Sequence, residues 1–338
     1  MALTAPECRS SAGGWLRHYV RVAPSVPEES GFLEVGAGHA LYWESVGNPA
    51  GLPAVVLHGG PGSGGSQWYW DWFDRDRYRV VVFDQRNCGR STPHAADGVP
   101  DQSSNTTQAL VGDIETLRRH LGVASWVVAG ISWGTTLALA YAQAHPHRVR
   151  GLVLNSTVTT SAREVEWITR GMGERFPRQW ARFVSVLPPT ERDGNIAAGY
   201  HRLLMNPDPA VHGPAAQAWC AWEDTHVATT PDHRPNPRYR DPRFRLGFAR
   251  LVTHYWSHAA FLPDGQIRSQ MDRLHGTPGA LIHGRDDLSS PPDVAIDLHR
   301  AWPDSDLVLL DQAGHGASLD ATRHATELIA ERARKAST

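Results

Sequence analysis

Residues Gly130-Ile131-Ser132-Trp133-Gly134 set a serine between two glycines. This G-x-S-x-G is the pattern of a nucleophile elbow. A sharp strand-to-helix turn holds the serine in a strained backbone conformation, larger neighbours would clash, and the first helical N–H groups face the charge developing on a substrate carbonyl. The pattern arises by chance elsewhere, so its weight rests on a strand before it and a helix after it. A serine hydroxyl also needs a base, and the base needs an acid to orient it. His315, in Gln312-Ala313-Gly314-His315-Gly316, and Asp287, after Gly284-Arg285-Asp286, follow the serine in the order acid, then histidine. Asp286 is the rival acid, and spacing from the preceding strand favours Asp287. With 18 histidines in the chain, an ordinary loop histidine is the competing reading of His315; its place after the last strand favours catalysis. In His58-Gly59-Gly60-Pro61-Gly62 the small residues let backbone N–H groups approach a substrate oxygen. One of Gly59 or Gly60 is expected to complete an oxyanion hole with the Trp133 amide.

The elements that must position these residues are legible as hydrophobic periodicity. Residues 32–46 read as two short strands around a glycine turn. Runs at 54–57, 80–83, 125–130 and 149–154 read as strands buried on both faces of a parallel sheet. Leu110, Ile114, Leu117 and Leu121 recur at helical spacing over 107–121, and an Ala-rich helix is expected over 133–144. Strands alternating with helices imply an α/β fold with right-handed crossovers. The alternation stops between about 159 and 271, where amphipathic segments carry five of the 13 tryptophans (Trp167, Trp180, Trp219, Trp222, Trp256) and a polar, Pro-rich stretch spans 230–242. It resumes with strands at 279–283 and 307–310 and a helix over 321–333. The expected organisation is a core of residues 1–158 and 272–338 interrupted by a helical insertion, 159–271.

Composition narrows the partners. The 338 residues are 41% hydrophobic and 20% charged, a profile of a packed globular chain. Lys+Arg (33) nearly balances Asp+Glu (35), so no basic field is present to hold nucleic acid or an anionic membrane. No apolar run reaches bilayer length, and the first 24 residues hold no signal-type apolar core, which gives the expectation of a cytoplasmic protein. Three cysteines (Cys8, Cys88, Cys220) are too few and scattered for a disulfide framework or a thiolate metal site. No metal or organic cofactor is expected. Lys335 is the only lysine, as GC-rich coding produces.

Taken together, HGGPG, DQRNCGRSTPH, GISWGTTLALAYAQAHPHRV, HGRDD, DLHRAWP and AGH resemble the prolyl aminopeptidase (proline iminopeptidase) family of α/β-hydrolases, in order and spacing, over about residues 30–320. The resemblance implies an α/β-hydrolase fold with a helical cap over the site, a Ser132, Asp287 and His315 triad, and a Trp-Glu pair, Trp222-Glu223, whose carboxylate binds the substrate's free α-ammonium. A carboxylate in an aromatic-lined cavity pairs with an ammonium more strongly than in water and excludes N-blocked substrates. The chain departs from the family pattern at Val252, where a second ammonium-binding glutamate is expected, at Val158 and Thr169, where aromatic residues shape a pyrrolidine pocket, and at Ser290, in place of a cysteine. The DQRNCGRS loop is expected to be scaffold. The implied activity is removal of an N-terminal aminoacyl group bearing a free α-amine from a small molecule or short peptide. The pocket changes point toward a small acyl group on a hydrophobic amine, such as a polyketide intermediate of secondary metabolism. An aminopeptidase on small peptides, an esterase or thioesterase, and a non-catalytic ligand-binding homologue are the alternatives.

Overall fold

Successive side chains of β3 (Leu52–Leu57) and β4 (Tyr78–Phe83) point to opposite sides of one sheet, and both sides are sealed. Val55, Leu57, Val81 and Phe83 face one helical layer; Ala54, Val56, Val80 and Val82 face the other. Burial on both faces is why these strands read as continuous apolar runs without alternation. The computed structural model describes residues 26–227, 234–316 and 318–335. The N-terminal stretch read for a leader, Cys8 and residues 230–233 of the Pro-rich stretch lie outside the described residues.

The sheet also contains β1 (Glu29–Glu34), β2 (Ala40–Gly47), β5 (Trp126–Ile131), β6 (Val149–Asn155), β7 (Gly279–Gly284) and β8 (Ser305–Leu310), in the order β1-β2-β4-β3-β5-β6-β7-β8. β2 pairs antiparallel with both β1 and β4, and the remaining five pairings are parallel. One face carries α1 (Thr107–His120), α2 (Trp133–Ala144) and, between β7 and β8, a helix over Asp293–Arg300. The other is covered by the closing helix, Leu319–Lys335, and a 3-10 segment, Gln67–Trp72. Neither the 3-10 segment nor the Asp293–Arg300 helix was expected from periodicity. The first is six residues with four aromatics, of which Tyr69, Trp70 and Trp72 are buried. The second is eight residues long, about two turns, too few to establish a period.

Between β6 and β7 lie α3 (Ala162–Thr169), α4 (Pro177–Ser185), α5 (Ile196–Leu204), α6 (Pro209–Val227), α7 (Pro242–Ser257) and the single turn α8 (Gln266–Ser269). The two remaining helices of the core are α9 (Asp293–Arg300) and α10 (Leu319–Lys335). A Ser161/Glu164 capping box starts α3, and Asp241 caps α7 ahead of Pro242. Stacked rings hold the segment together: Phe183 lies 5.2 Å from Trp222 and 4.6 Å from Tyr200, each pair 14° from parallel. Among the described residues no helix is long and apolar enough to cross a membrane.

Candidate active site

Ser132 sits where β5 turns into α2, with φ 53° and ψ −125°, a region that costs an L-residue energy and persists only under surrounding constraint. The constraint comes from both glycines. A Cβ on Gly130 would lie 2.4 Å from the Gly134 oxygen, and one on Gly134 would lie 2.0 Å from the Leu57 oxygen. The tight approach of α2 to β3 therefore aims the Ser132 side chain out of the sheet's C-terminal edge.

His315, in the loop after β8, brings Nε2 to 3.0 Å from Ser132 Oγ, while its Nδ1 lies 2.8 Å from Asp287 Oδ2. Asp287 is buried and Asp286 exposed, so the loop after β7 offers the first and not the second to the histidine. Ser290 N–H and Oγ–H, each at 2.9 Å, satisfy the rest of the Asp287 carboxylate. With Nδ1–H donated to a carboxylate, His315 Nε2 is left as an acceptor for the serine proton. Burial alone would raise the Asp287 carboxyl; the neighbouring His315 ring, its hydrogen bond, His283 and the Ser290 N–H outweigh it and hold it low. Burial alone would lower His315, and the Asp287 carboxylate outweighs it, so the ring is more basic than an ordinary histidine.

Two loops fix this row. A Cβ on Gly284 would meet the Ala313 oxygen at 2.2 Å, so the acid and histidine loops are in backbone contact. Ser156, just after β6, accepts from Gly316 N–H at 2.9 Å and donates to the Gly316 carbonyl at 2.8 Å. His283 accepts from Thr157 N–H at Nδ1 and donates from Nε2 to the Ser290 carbonyl, both protons assigned, so it is neutral and braces the acid loop.

The glycine loop lies against the elbow. A Cβ on Gly59 would fall 3.1 Å from the Ile131 oxygen, and Gly60 has φ 114°. Gln85, from the DQRNCGRS loop, donates to the His58 carbonyl and accepts from Trp133 Nε1 at 2.9 Å, tying the loop to the elbow. Cys88 is buried, with its thiol pushed well up by burial, which leaves no reactive thiolate there.

Above Ser132 is a cavity of about 60 Å³ lined by Gly60, Ser132, Trp133, His315 and residues of the helical segment. At roughly 10–15 Å³ per water-sized group, it holds about four to six such groups. Glu223 and His226 enter it from α6; Val158, Val165, Ile168 and Trp256 supply apolar walls. Glu223 is buried, accepts from Trp219 Nε1 at 3.2 Å, and is pushed up to about 7 by burial, against the opposing pull of His315. Trp222 stands behind it, stacked on Phe183 with Nε1 bonded to the Ile168 carbonyl. Val158 lines the cavity, whereas Val252 and Thr169 are packed in the interior away from it; Thr169 Oγ1 is bonded to the Val165 carbonyl. One turn beyond Val252, Trp256 takes the wall position. His226 and Ser289 were missed by the sequence reading; the i, i+3 spacing of Glu223 and His226 on one helix face was the available signal.

Comparison with known proteins agrees with this fold. A family model described as alpha/beta hydrolase fold matches residues 53–322. A probable proline iminopeptidase from Streptomyces coelicolor is 50% identical, covering 86% of this chain and 91% of that protein. The proline iminopeptidases of Xylella fastidiosa (strain 9a5c; 43% identical, 86% and 92% covered) and Arabidopsis thaliana (40%, 88% and 77%) are also similar. Among solved structures, a proline iminopeptidase from Mycobacterium smegmatis superposes with a TM-score of 0.59 at 20% identity, over 91% of this chain and 98% of that one. A proline iminopeptidase-related protein from Thermus thermophilus gives 0.58 at 24%, over 91% and 99%. The chain belongs to the proline iminopeptidase family of α/β-hydrolases and is a serine aminopeptidase.

Proposed function

We propose that this enzyme releases a small N-terminal residue, prolyl or alanyl in size, from a short peptide or related amide with a free α-ammonium group. Ser132 is the nucleophile, His315 its general base and then the acid for the leaving amine, and Asp287 the group that fixes the imidazole. Ser132 Oγ attacks the carbonyl carbon while its proton passes to His315 Nε2. The oxyanion rests on the Trp133 amide and an amide of Gly59 or Gly60. His315 then protonates the departing nitrogen, leaving an acyl-enzyme that a water deprotonated by His315 hydrolyses. Residues 159–271 act as a cap, with Glu223 holding the ammonium and thereby the carbonyl over Ser132.

The single observation that carries the reading is Glu223: a buried carboxylate in the same small cavity as Ser132 and His315. The apolar cavity walls Val158, Val165, Ile168 and Trp256 support a second reading, removal of a small aminoacyl cap from a hydrophobic amine, such as a polyketide intermediate of secondary metabolism.

A turnover panel tests both. An alkyl fluorophosphonate should add to the Ser132 peptide, and prolyl and alanyl arylamides should be cleaved. Labelling elsewhere, or turnover that survives Ser132→Ala, contradicts the assignment. Dipeptides outpacing long-chain alanyl alkylamides would favour the peptide reading and sink the second.

A further inference from the structure

His226 lies one helical turn after Glu223 on α6, its Nε2 3.4 Å from Glu223 Oε2. The tautomer of His226 follows from its neighbour. Ser289 Oγ is 2.8 Å from the His226 carbonyl, which can only accept, so the hydroxyl proton is committed there. Ser289 Oγ is also 2.8 Å from His226 Nδ1, and must accept from it. The ring proton is thus on Nδ1, and Nε2 is a bare acceptor. Among the described residues it has no hydrogen-bond donor. With Glu223 ionised, as it must be to hold an ammonium, two acceptors face each other across one gap, and an acceptor closed off from solvent without a donor is costly.

We propose that His226 Nε2 is the second acceptor of the ammonium subsite, so that the substrate's α-nitrogen is held between a carboxylate and a neutral imidazole. This rests on the aminopeptidase reading above and assigns the subsite a residue that Val252, packed in the interior, does not supply. A nitrogen about 2.9 Å from each acceptor, the usual spacing, spans a 3.4 Å pair. Glu223 Oε1 keeps its hydrogen bond from Trp219 Nε1 at 3.2 Å, which leaves Oε2 to face the ammonium beside His226. Burial drives His226 down to about 3, so the ring stays neutral and does not compete with the substrate for Glu223. Ser289 is the positioning residue that aims the ring.

The test measures KM and kcat for an L-prolyl arylamide, and Ki for L-prolinol, which has the ammonium but no scissile bond. In His226→Leu, KM and Ki should rise about 10- to 100-fold, the size of one hydrogen bond to a charged group, with kcat changed far less. His226→Gln, which keeps an amide oxygen as acceptor, should recover part of the loss. Values within about two-fold of wild type in both variants, alongside a large rise in Glu223→Gln, would overturn the role of His226 and leave the aminopeptidase reading standing. If Glu223→Gln also has no effect, the ammonium subsite itself is wrong and the proposal falls with it. Should His226→Leu fail to fold, wild type answers the question by ¹⁵N NMR. On adding L-prolinol the His226 Nε2 resonance should move from that of a bare acceptor to that of a hydrogen-bonded one; no movement overturns the proposal.

Discussion

Glu223 shows what a buried carboxylate costs the fold. Burial raises it to about 7, against about 4.3 in an unfolded chain. Below pH 4.3 it is neutral in both states and imposes no penalty. As pH rises through 7 it ionises in the folded protein, against the resistance of its surroundings, and stability is lost. The order of that loss is about 2–4 kcal/mol. Glu223→Gln should therefore raise the Tm relative to wild type at pH 8 and bring the two together at pH 4–5. Equal differences at both pH values, read by thermal denaturation, would contradict a strained carboxylate. The triad and Glu223 were legible as single residues because their motifs are local. His226 was not, because the orientation of its ring is set by Ser289, 63 residues away.

At the scale of the element, the turn from β5 into α2 matters most. Its glycines are dictated by contact: Gly134 permits α2 to touch the Leu57 carbonyl of β3. Gly134→Ala should cost roughly 3 kcal/mol or more, the range of severe core clashes, seen as a large fall in Tm or loss of soluble protein. Gly112, exposed on α1 with nothing within 4 Å of an added Cβ, is the matched control. Gly112→Ala should gain about 0.5–1 kcal/mol from helix propensity. A mild effect at Gly134 would mean that the elbow is not held by this contact. The buried strands were legible as short continuous apolar runs with clear boundaries, α1 by its helical period and α2 as an Ala-rich run between two strands. The aromatic 3-10 segment Gln67–Trp72 and the short α9 were not, since tertiary packing alone explains them.

Across the whole molecule, the helical segment is pinned to the sheet-bearing core by backbone carbonyls. Arg250, buried on α7, donates from Nη1 to the Ala95 and Gly98 carbonyls at 2.8 and 2.7 Å and from Nε to the Leu204 carbonyl at 2.8 Å. Arg250→Met keeps the stem and strands the buried Ala95 and Leu204 carbonyls, each worth about 1–3 kcal/mol when left unpaired. Tm should fall by several degrees, with KM rising as the segment loosens over Ser132. An unchanged Tm would show that the docking does not depend on this side chain. The interruption of the β/α alternation made a helical insertion visible in the sequence. Which of its residues face the cavity was not visible: Val252 and Trp256 are one turn apart on α7, and only the packing of α6 against α7 puts the tryptophan at the wall and the valine in the core.

Everything proposed for this site depends on Glu223 recognising a free α-ammonium next to Ser132. The most direct measurement is kcat/KM for L-prolyl and L-alanyl arylamides against their N-acetyl counterparts, in wild type and Glu223→Gln. The wild-type enzyme should prefer the free amines by about 10²-fold or more, as for a charged group that loses its buried partner, and the variant should lose most of that preference. Equal turnover of acetylated and free substrates by wild type, or a preference that survives in the variant, would contradict it.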